Sequence, residues 1–105
     1  MITIRNASES PFGRAQGKTV LFENEETRKL LFGGKKNFWG TILIQIETVK
    51  PEGGKGCWNF TGQVLSKRSL RIKQGTSVTG FYRGSDGVSD TCWETETNKG
   101  WIKPA

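Results

Sequence analysis

Basic side chains lie close to aromatic rings in several stretches of this chain, and this pairing is the chemistry that its residues suggest most directly. The side chains concerned are Lys35, Lys36, Trp39, Lys67, Arg68, Arg71, Lys73, Tyr82 and Arg83. A lysine or arginine can neutralise a phosphate, and an exposed ring can stack on a base. The set therefore predicts a surface that holds single-stranded nucleic acid.

Trp39 is the first candidate for stacking. We expect it on the strand face that carries Thr41 and Gln45, opposite a row of isoleucines, with Lys35 and Lys36 nearby. The alternative is that Trp39 packs beneath a loop or helix, because tryptophan is highly buried on average. The sequence leaves both readings open.

Phe81 and Tyr82 are adjacent on one predicted strand, so one ring faces inward and the other outward. If Phe81 belongs to the core, Tyr82 and Val78 are presented on the opposite face. Tyr82 is then the second candidate for stacking, with Arg83 beside it.

The formal net charge is +6, with an isoelectric point near 9.6. This balance places polyanions among the expected partners. The competing interpretation is that the charge serves only solubility.

Several kinds of chemistry lack their usual residues. The chain has no histidine, which removes the commonest general base and metal ligand. Two cysteines are too few for a structural zinc site without carboxylates. The acidic residues of segment 86–96 do not follow the spacing of a calcium loop, so we interpret them as a solvated edge. We predict no catalytic residues, no metal site and no cofactor.

The two cysteines, Cys57 and Cys92, each precede a tryptophan. Neither a signal peptide nor an apolar run of about 20 residues is present, so we expect a cytoplasmic protein without a membrane span. In that compartment a disulfide is disfavoured, and we expect thiols. Whether the two cysteines are bonded stays open at this point.

Alternating apolar and polar residues predict short strands separated by turns. The predicted strands cover residues 1–6, 19–24, 38–49, 57–66, 70–74, 76–84, 90–97 and 100–105. Residues 7–18 are predicted to form a mobile loop, and Asn98-Lys99-Gly100 a turn. Trp58 and Phe60 are assigned to the core, and Trp93 and Trp101 to packing near the chain end.

One short helix is predicted near 24–32, with Asn24 as its cap and Gly33-Gly34 at its end. A β-hairpin that turns at FGGKKN is the alternative for the same stretch. The fold class is all-β: one domain over residues 1–105, forming a small closed or partly open barrel.

The run SLRIKQGTSVTGFYRGSDG resembles the late part of small OB-fold proteins, with matching positions at Leu70, Gly75, Val78, Gly80, Arg83 and Gly87. Bacterial single-stranded-DNA-binding proteins and related primosomal proteins share this outline. MITI, GRAQGKTVLFENEE and TILIQIETVKPEGG are similar, in that order, to the single-stranded-DNA-binding proteins of filamentous phages. The resemblance implies an OB-like barrel that binds single strands through Trp39, Lys67, Arg71, Lys73 and Tyr82. The acidic segment 86–96 departs from the family.

The leading hypothesis is thus binding of single-stranded nucleic acid, DNA rather than RNA, with low sequence specificity. A second hypothesis is a small β module that recognises a protein partner, such as a phage or mobile-element inhibitor. A third is a carbohydrate-binding module with tryptophan platforms. Exposed strand edges also give a small barrel reason to pair, so a homodimer is among the expected assemblies.

Overall fold

The computed structural model describes residues 1–25, 33–53, 56–66, 72–83 and 90–104, and these form an all-β structure. Its eight strands are β1 Ile2–Ile4, β2 Thr19–Asn24, β3 Lys36–Asn37, β4 Gly40–Pro51, β5 Cys57–Val64, β6 Ser77–Arg83, β7 Asp90–Glu94 and β8 Asn98–Ile102. Within the described ranges, the one helical element is a 3₁₀ turn at Ala7–Glu9. None of these residues forms a helix with the length and apolarity that a membrane span needs.

The helix predicted near 24–32 lies mostly outside the described residues, which resume at residue 33. Its expected cap, Asn24, is instead the last residue of β2. The hairpin alternative at FGGKKN involves the same residues and also lies partly outside the described ranges; within them, Lys36 and Asn37 pair with β8.

The strands form one sheet in the order β1-β2-β4-β5-β6-β7-β8-β3. Pairing is antiparallel throughout the series from β2 to β8, and parallel where β1 meets β2 and β3 meets β8. The sheet curls into a half-barrel, which confirms the prediction of a partly open β-barrel. It has eight strands where an OB-fold has five.

The outer edge of β8 is covered in steps that bring the two ends of the sheet together. β3 pairs with its first residues. Further along, the amide of Glu25 donates to the Trp101 carbonyl at 2.8 Å, and the amide of Ala7 donates to the Lys103 carbonyl at 2.8 Å. These bonds satisfy part of an edge that would otherwise expose unpaired backbone groups.

The core lies on the inner face of the curled sheet. Ile42, Ile44 and Ile46 are almost completely buried, which confirms the period-two prediction for β4. Phe60 stacks against Phe22 with ring centroids 5.8 Å apart, and both rings are buried. Full burial of one such side chain contributes about 1.5–3 kcal/mol, so this strip of rings and isoleucines is the main stabilising feature of the barrel.

Large and small residues alternate across one row of the sheet. Phe60 pairs with Gly80, Gly80 with Trp93, and Trp93 with Gly100. A Cβ atom at Gly80 would overlap the Phe60 ring, and one at Gly100 would overlap the Trp93 indole. The two glycines therefore make room for two large rings inside a narrow barrel.

The two Cys-Trp pairs occupy similar positions on different strands. Trp93 is fully buried and Trp58 is half-buried against the core, as predicted. Cys57 lies opposite Arg83 on β6, whereas Cys92 lies opposite Phe81 on the other side of the same strand. Two strand spacings, about 9–10 Å, exceed the Cα separation of about 7 Å that a disulfide tolerates. Both cysteines are thiols in the structure.

Residues 10–18 form a loop, as predicted, after the 3₁₀ turn at Ala7–Glu9, and the segment contributes the buried residues Ala7, Ser10 and Ala15. The prediction of a turn at residues 98–100 is wrong. The last turn is formed by residues 95–97, while Asn98 to Gly100 belong to β8. Thr95 closes that turn: its amide donates to the Asn98 carbonyl at 2.8 Å, and its hydroxyl accepts from the Asn98 amide at 3.0 Å.

Candidate nucleic-acid interface

Trp39 is the most exposed aromatic side chain among the described residues, with 68% of its surface accessible. It lies between β3 and β4 and is flanked by two residues with different roles. Phe38 turns into the core, where its ring centroid is 5.6 Å from that of Trp93. Gly40 has φ of +101°, a conformation that an L side chain rarely adopts, so the extended chain is interrupted directly after Trp39. Trp39 is thus exposed rather than packed beneath a loop or helix, but it precedes β4 instead of lying within that strand as predicted.

The two lysines that precede Trp39 have different environments. Lys36 is exposed in β3. The ammonium group of Lys35 instead lies 2.7 Å from a Glu94 carboxylate oxygen and donates to the Thr95 carbonyl at 2.8 Å. Because these acceptors already use the charge of Lys35, Lys36 is the better candidate for a phosphate contact.

Lys73 is exposed in the turn before β6, where its carbonyl accepts from the Thr76 amide at 3.2 Å. After β5, the Ser66 hydroxyl accepts from the Leu43 amide at 2.9 Å, so residues 65 and 66 lie alongside β4. The predicted contacts Lys67, Arg68 and Arg71 follow Ser66 and lie outside the described residues.

The prediction that Tyr82 presents its ring to a ligand is wrong. Tyr82 is fully buried and stacks on Phe60, with ring centroids 4.9 Å apart, whereas Phe81 faces outward and is half-buried. Arg83 is exposed, but its guanidinium lies over the Phe81 ring at 5.0 Å. Arg83 is also the last residue of β6, six residues or about 20 Å along the strand from Ser77.

Burial changes the chemistry of the Tyr82 phenol. Its hydroxyl has no hydrogen-bond partner among the described residues. Removal from water disfavours the charged phenolate, so burial raises the pKa of Tyr82 well above the ordinary value of 10.0. The group is a neutral core residue at physiological pH.

The excess positive charge is unevenly shared along the chain. Six of the 16 basic and two of the 10 acidic residues lie outside the described ranges, which leaves the described part with ten bases and eight acids, or +2 of the total +6. Residues 67–71 alone contribute three bases and no acid to this excess.

An open cleft of about 510 Å³ lies beside Gly40, which forms part of its lining together with Thr41. Its lining includes Glu9, Glu23 and Glu25, and Arg5 pairs with the first two at 3.9 and 3.6 Å. Its carboxylates would repel a phosphate backbone. With three glutamates against Arg5 and Lys103, the lining is net acidic and matches a phosphate backbone poorly.

Two smaller depressions, of about 320 and 230 Å³, lie on the outer face of β5, β6 and β7, and their linings are poorly suited to binding a phosphate. Their lining is mainly hydroxyl, amide and aromatic, with Glu94 common to both and Lys35 as the one basic member. No group of three or more cysteine or acidic side chains that could hold a metal ion occurs in the described part of the chain. Of the predicted contacts in the described ranges, the exposed ones are Lys36, Trp39, Lys73 and Arg83.

Sequence reasoning missed one residue at this site, Asn24, which it assigned only as a helix cap. Asn24 is buried and hydrogen-bonds both to Trp93 and to the carbonyl of Gly40. The available signal was an amide at the end of an otherwise apolar alternating strand. Comparisons with protein-family models, curated proteins and solved structures find no match to this chain.

Proposed function

We propose that the protein binds single-stranded nucleic acid with low sequence specificity, DNA in preference to RNA. The observation that carries the proposal is Trp39, a ring exposed to 68% beside the exposed Lys36 on a chain of net charge +6. An exposed ring stacks on any base, and nearby lysines neutralise the adjoining phosphates. Such contacts carry little sequence information.

The surroundings of Trp39 favour this function over binding to a protein. Met1 and Trp39 are the large hydrophobic side chains exposed in the described ranges, so no second exposed ring accompanies Trp39 there. The buried centre of a protein interface is apolar and low in charge. A solitary ring with a lysine three residues before it matches a base and a phosphate better.

A titration of labelled single-stranded oligonucleotide at low salt tests the proposal. We expect saturable binding whose logarithmic affinity falls linearly with the logarithm of salt concentration, because phosphate contacts release counterions. A base-free polyanion of similar charge is the matched ligand, and it should bind more weakly because it offers no base to Trp39. Absence of binding at low salt, or equal affinity for both ligands, would contradict the proposal.

Recovery of the protein's partner from native lysate, with and without nuclease, separates the two leading functions. Loss of the captured material after nuclease treatment is the expected result. A protein that remains bound after the same treatment would instead support the protein-binding hypothesis.

A further inference from the structure

We propose that Asn24 positions Trp39 for binding by joining the segment that carries Trp39 to the buried indole of Trp93. The inference rests on the proposed function, since it concerns the residue expected to stack on a base. It assigns to Asn24 a role in ligand affinity, although Asn24 itself is buried and touches no ligand.

The side chain of Asn24 forms a bridge between the core and the start of β4. Its amide oxygen accepts from the Trp93 indole nitrogen at 2.7 Å, and its amide nitrogen donates to the Gly40 carbonyl at 3.1 Å. Only 6% of the residue is exposed. Water competes poorly for buried hydrogen bonds of this kind, so they hold their two partners in a defined geometry.

A second anchor acts on the other side of Trp39. The ring of Phe38 packs on the same Trp93 indole, and its amide donates to the Lys99 carbonyl at 2.7 Å. Both sequence neighbours of Trp39 are therefore fastened to Trp93, one by ring contact and the other through Asn24.

Gly100 gives the bridge its space. It lies opposite Trp93 in the sheet, and a Cβ atom there would overlap both the indole and the Asn24 side-chain oxygen. The indole can cross β8 and reach Asn24 only because this position has no side chain.

The consequence is an exposed ring on a backbone that is already ordered before a ligand arrives. A flexible ring would lose conformational freedom on binding, and this loss would weaken the complex. Releasing the Gly40 anchor should thus lower the affinity for single strands about three- to tenfold, with the contacts themselves unchanged.

The variant that isolates this effect is Asn24→Asp. An aspartate keeps an oxygen for the Trp93 indole but has no hydrogen to donate to Gly40, so only one side of the bridge is lost. Thr41→Asp is the matched control, because it adds the same charge on the exposed neighbouring position of β4. A double-mutant cycle with Trp39→Ala removes the effect of charge alone.

We expect Asn24→Asp to weaken binding about three- to tenfold more in the wild-type background than in the Trp39→Ala background. Thr41→Asp should weaken both backgrounds equally. Equal losses for Asn24→Asp in the two backgrounds would overturn the proposal. If Asn24→Asp does not fold, Phe38→Leu releases the other anchor and should show the same coupling to Trp39.

A measurement without nucleic acid separates this inference from the proposed function. The fluorescence anisotropy decay of Trp39 is obtained by subtracting the signal of a Trp39→Phe variant. Faster local rotation of Trp39 in Asn24→Asp supports the positioning role even if the wild-type protein binds no oligonucleotide, and unchanged rotation overturns it.

Discussion

The segments around Trp39 and Tyr82 look alike in sequence and are used in opposite ways. Each has two adjacent aromatic residues beside a basic one, Phe38-Trp39 after Lys36 and Phe81-Tyr82 before Arg83. In the first segment the larger ring is exposed to 68%, whereas in the second Tyr82 is fully buried.

The difference comes from the number of neighbouring strands. Phe81 and Tyr82 lie within β6, which pairs with β5 and β7, so the pleat and the register place Tyr82 opposite Trp58 and Thr91 on the inner face. Trp39 lies between two strands, just before the positive φ of Gly40. The Trp39 ring reaches solvent because it lies outside the paired strands. Pairing on both sides thus distinguishes a core aromatic residue from a candidate binding residue.

Tyr82→Ala gives the largest expected contrast. Removing a fully buried ring that stacks on Phe60 leaves a cavity and should lower the free energy of unfolding by about 3–5 kcal/mol. Trp39→Ala should change it by no more than about 0.5 kcal/mol, because that ring is exposed. Urea denaturation measures both values, and similar losses for the two variants would contradict the comparison.

Gly100→Ala tests the space that the Trp93 ring requires. The added methyl group overlaps the indole and the Asn24 oxygen, so we expect a loss of about 1–3 kcal/mol in the free energy of unfolding. Gly33→Ala is the matched control, because an added Cβ there meets nothing within 4 Å. Equal stability of the two variants would show that Trp93 is not held as described.

Alkaline titration of the single tyrosine examines the buried side of the comparison. Because the pKa of Tyr82 is raised in the folded state, the stability that its neutral form contributes is complete below the unfolded value of 10.0 and declines above it. At about pH 11 the loss should be about 1.4 kcal/mol relative to a Tyr82→Phe variant. Phenolate absorbance should stay low until the protein unfolds; ionisation of the folded protein near pH 10 would contradict burial.

Neutralising single bases should have the smallest effect and should distinguish the two lysines beside Trp39. Lys36→Gln is expected to reduce the slope of logarithmic affinity against logarithmic salt concentration by about 1. Lys35→Gln should alter the slope less, since Glu94 already holds that charge, and Arg83→Gln should leave it unchanged. A larger change from Arg83→Gln would place the interface at the end of β6 that carries Arg83.

The alternating segments of the sequence were sufficient to predict most strands, because burial of one face imposes a period of two. β2 matches its prediction at both ends, Thr19 and Asn24. The same period of two predicts the orientation of Tyr82 when it is applied to the whole of β6. Tyr82 shares a face with the apolar Val78, whereas Phe81 shares the other face with Ser77 and Thr79. Weighing the whole strand, rather than the pair of rings, identifies the inner face.

Other features depend on contacts between distant segments, which no local pattern contains. Asn98-Lys99-Gly100 has turn-forming residues, yet Gly100 is needed opposite Trp93 and the turn uses the Thr95 hydroxyl instead. Asn24 likewise acquires its role from Trp93, 69 residues away. The neutralisation of Lys35 by Glu94 arises in the same way.

Side-by-side titration of the wild-type protein and Trp39→Ala with a single-stranded oligonucleotide at low salt tests whether the exposed ring contributes to binding. Phe81→Leu serves as the control, since it changes a half-buried aromatic residue of β6 rather than the exposed ring. We expect Trp39→Ala to bind about 5- to 150-fold more weakly, the equivalent of about 1–3 kcal/mol for one lost stacking contact, and Phe81→Leu to bind like the wild type. Equal affinity of Trp39→Ala and wild type would contradict this expectation.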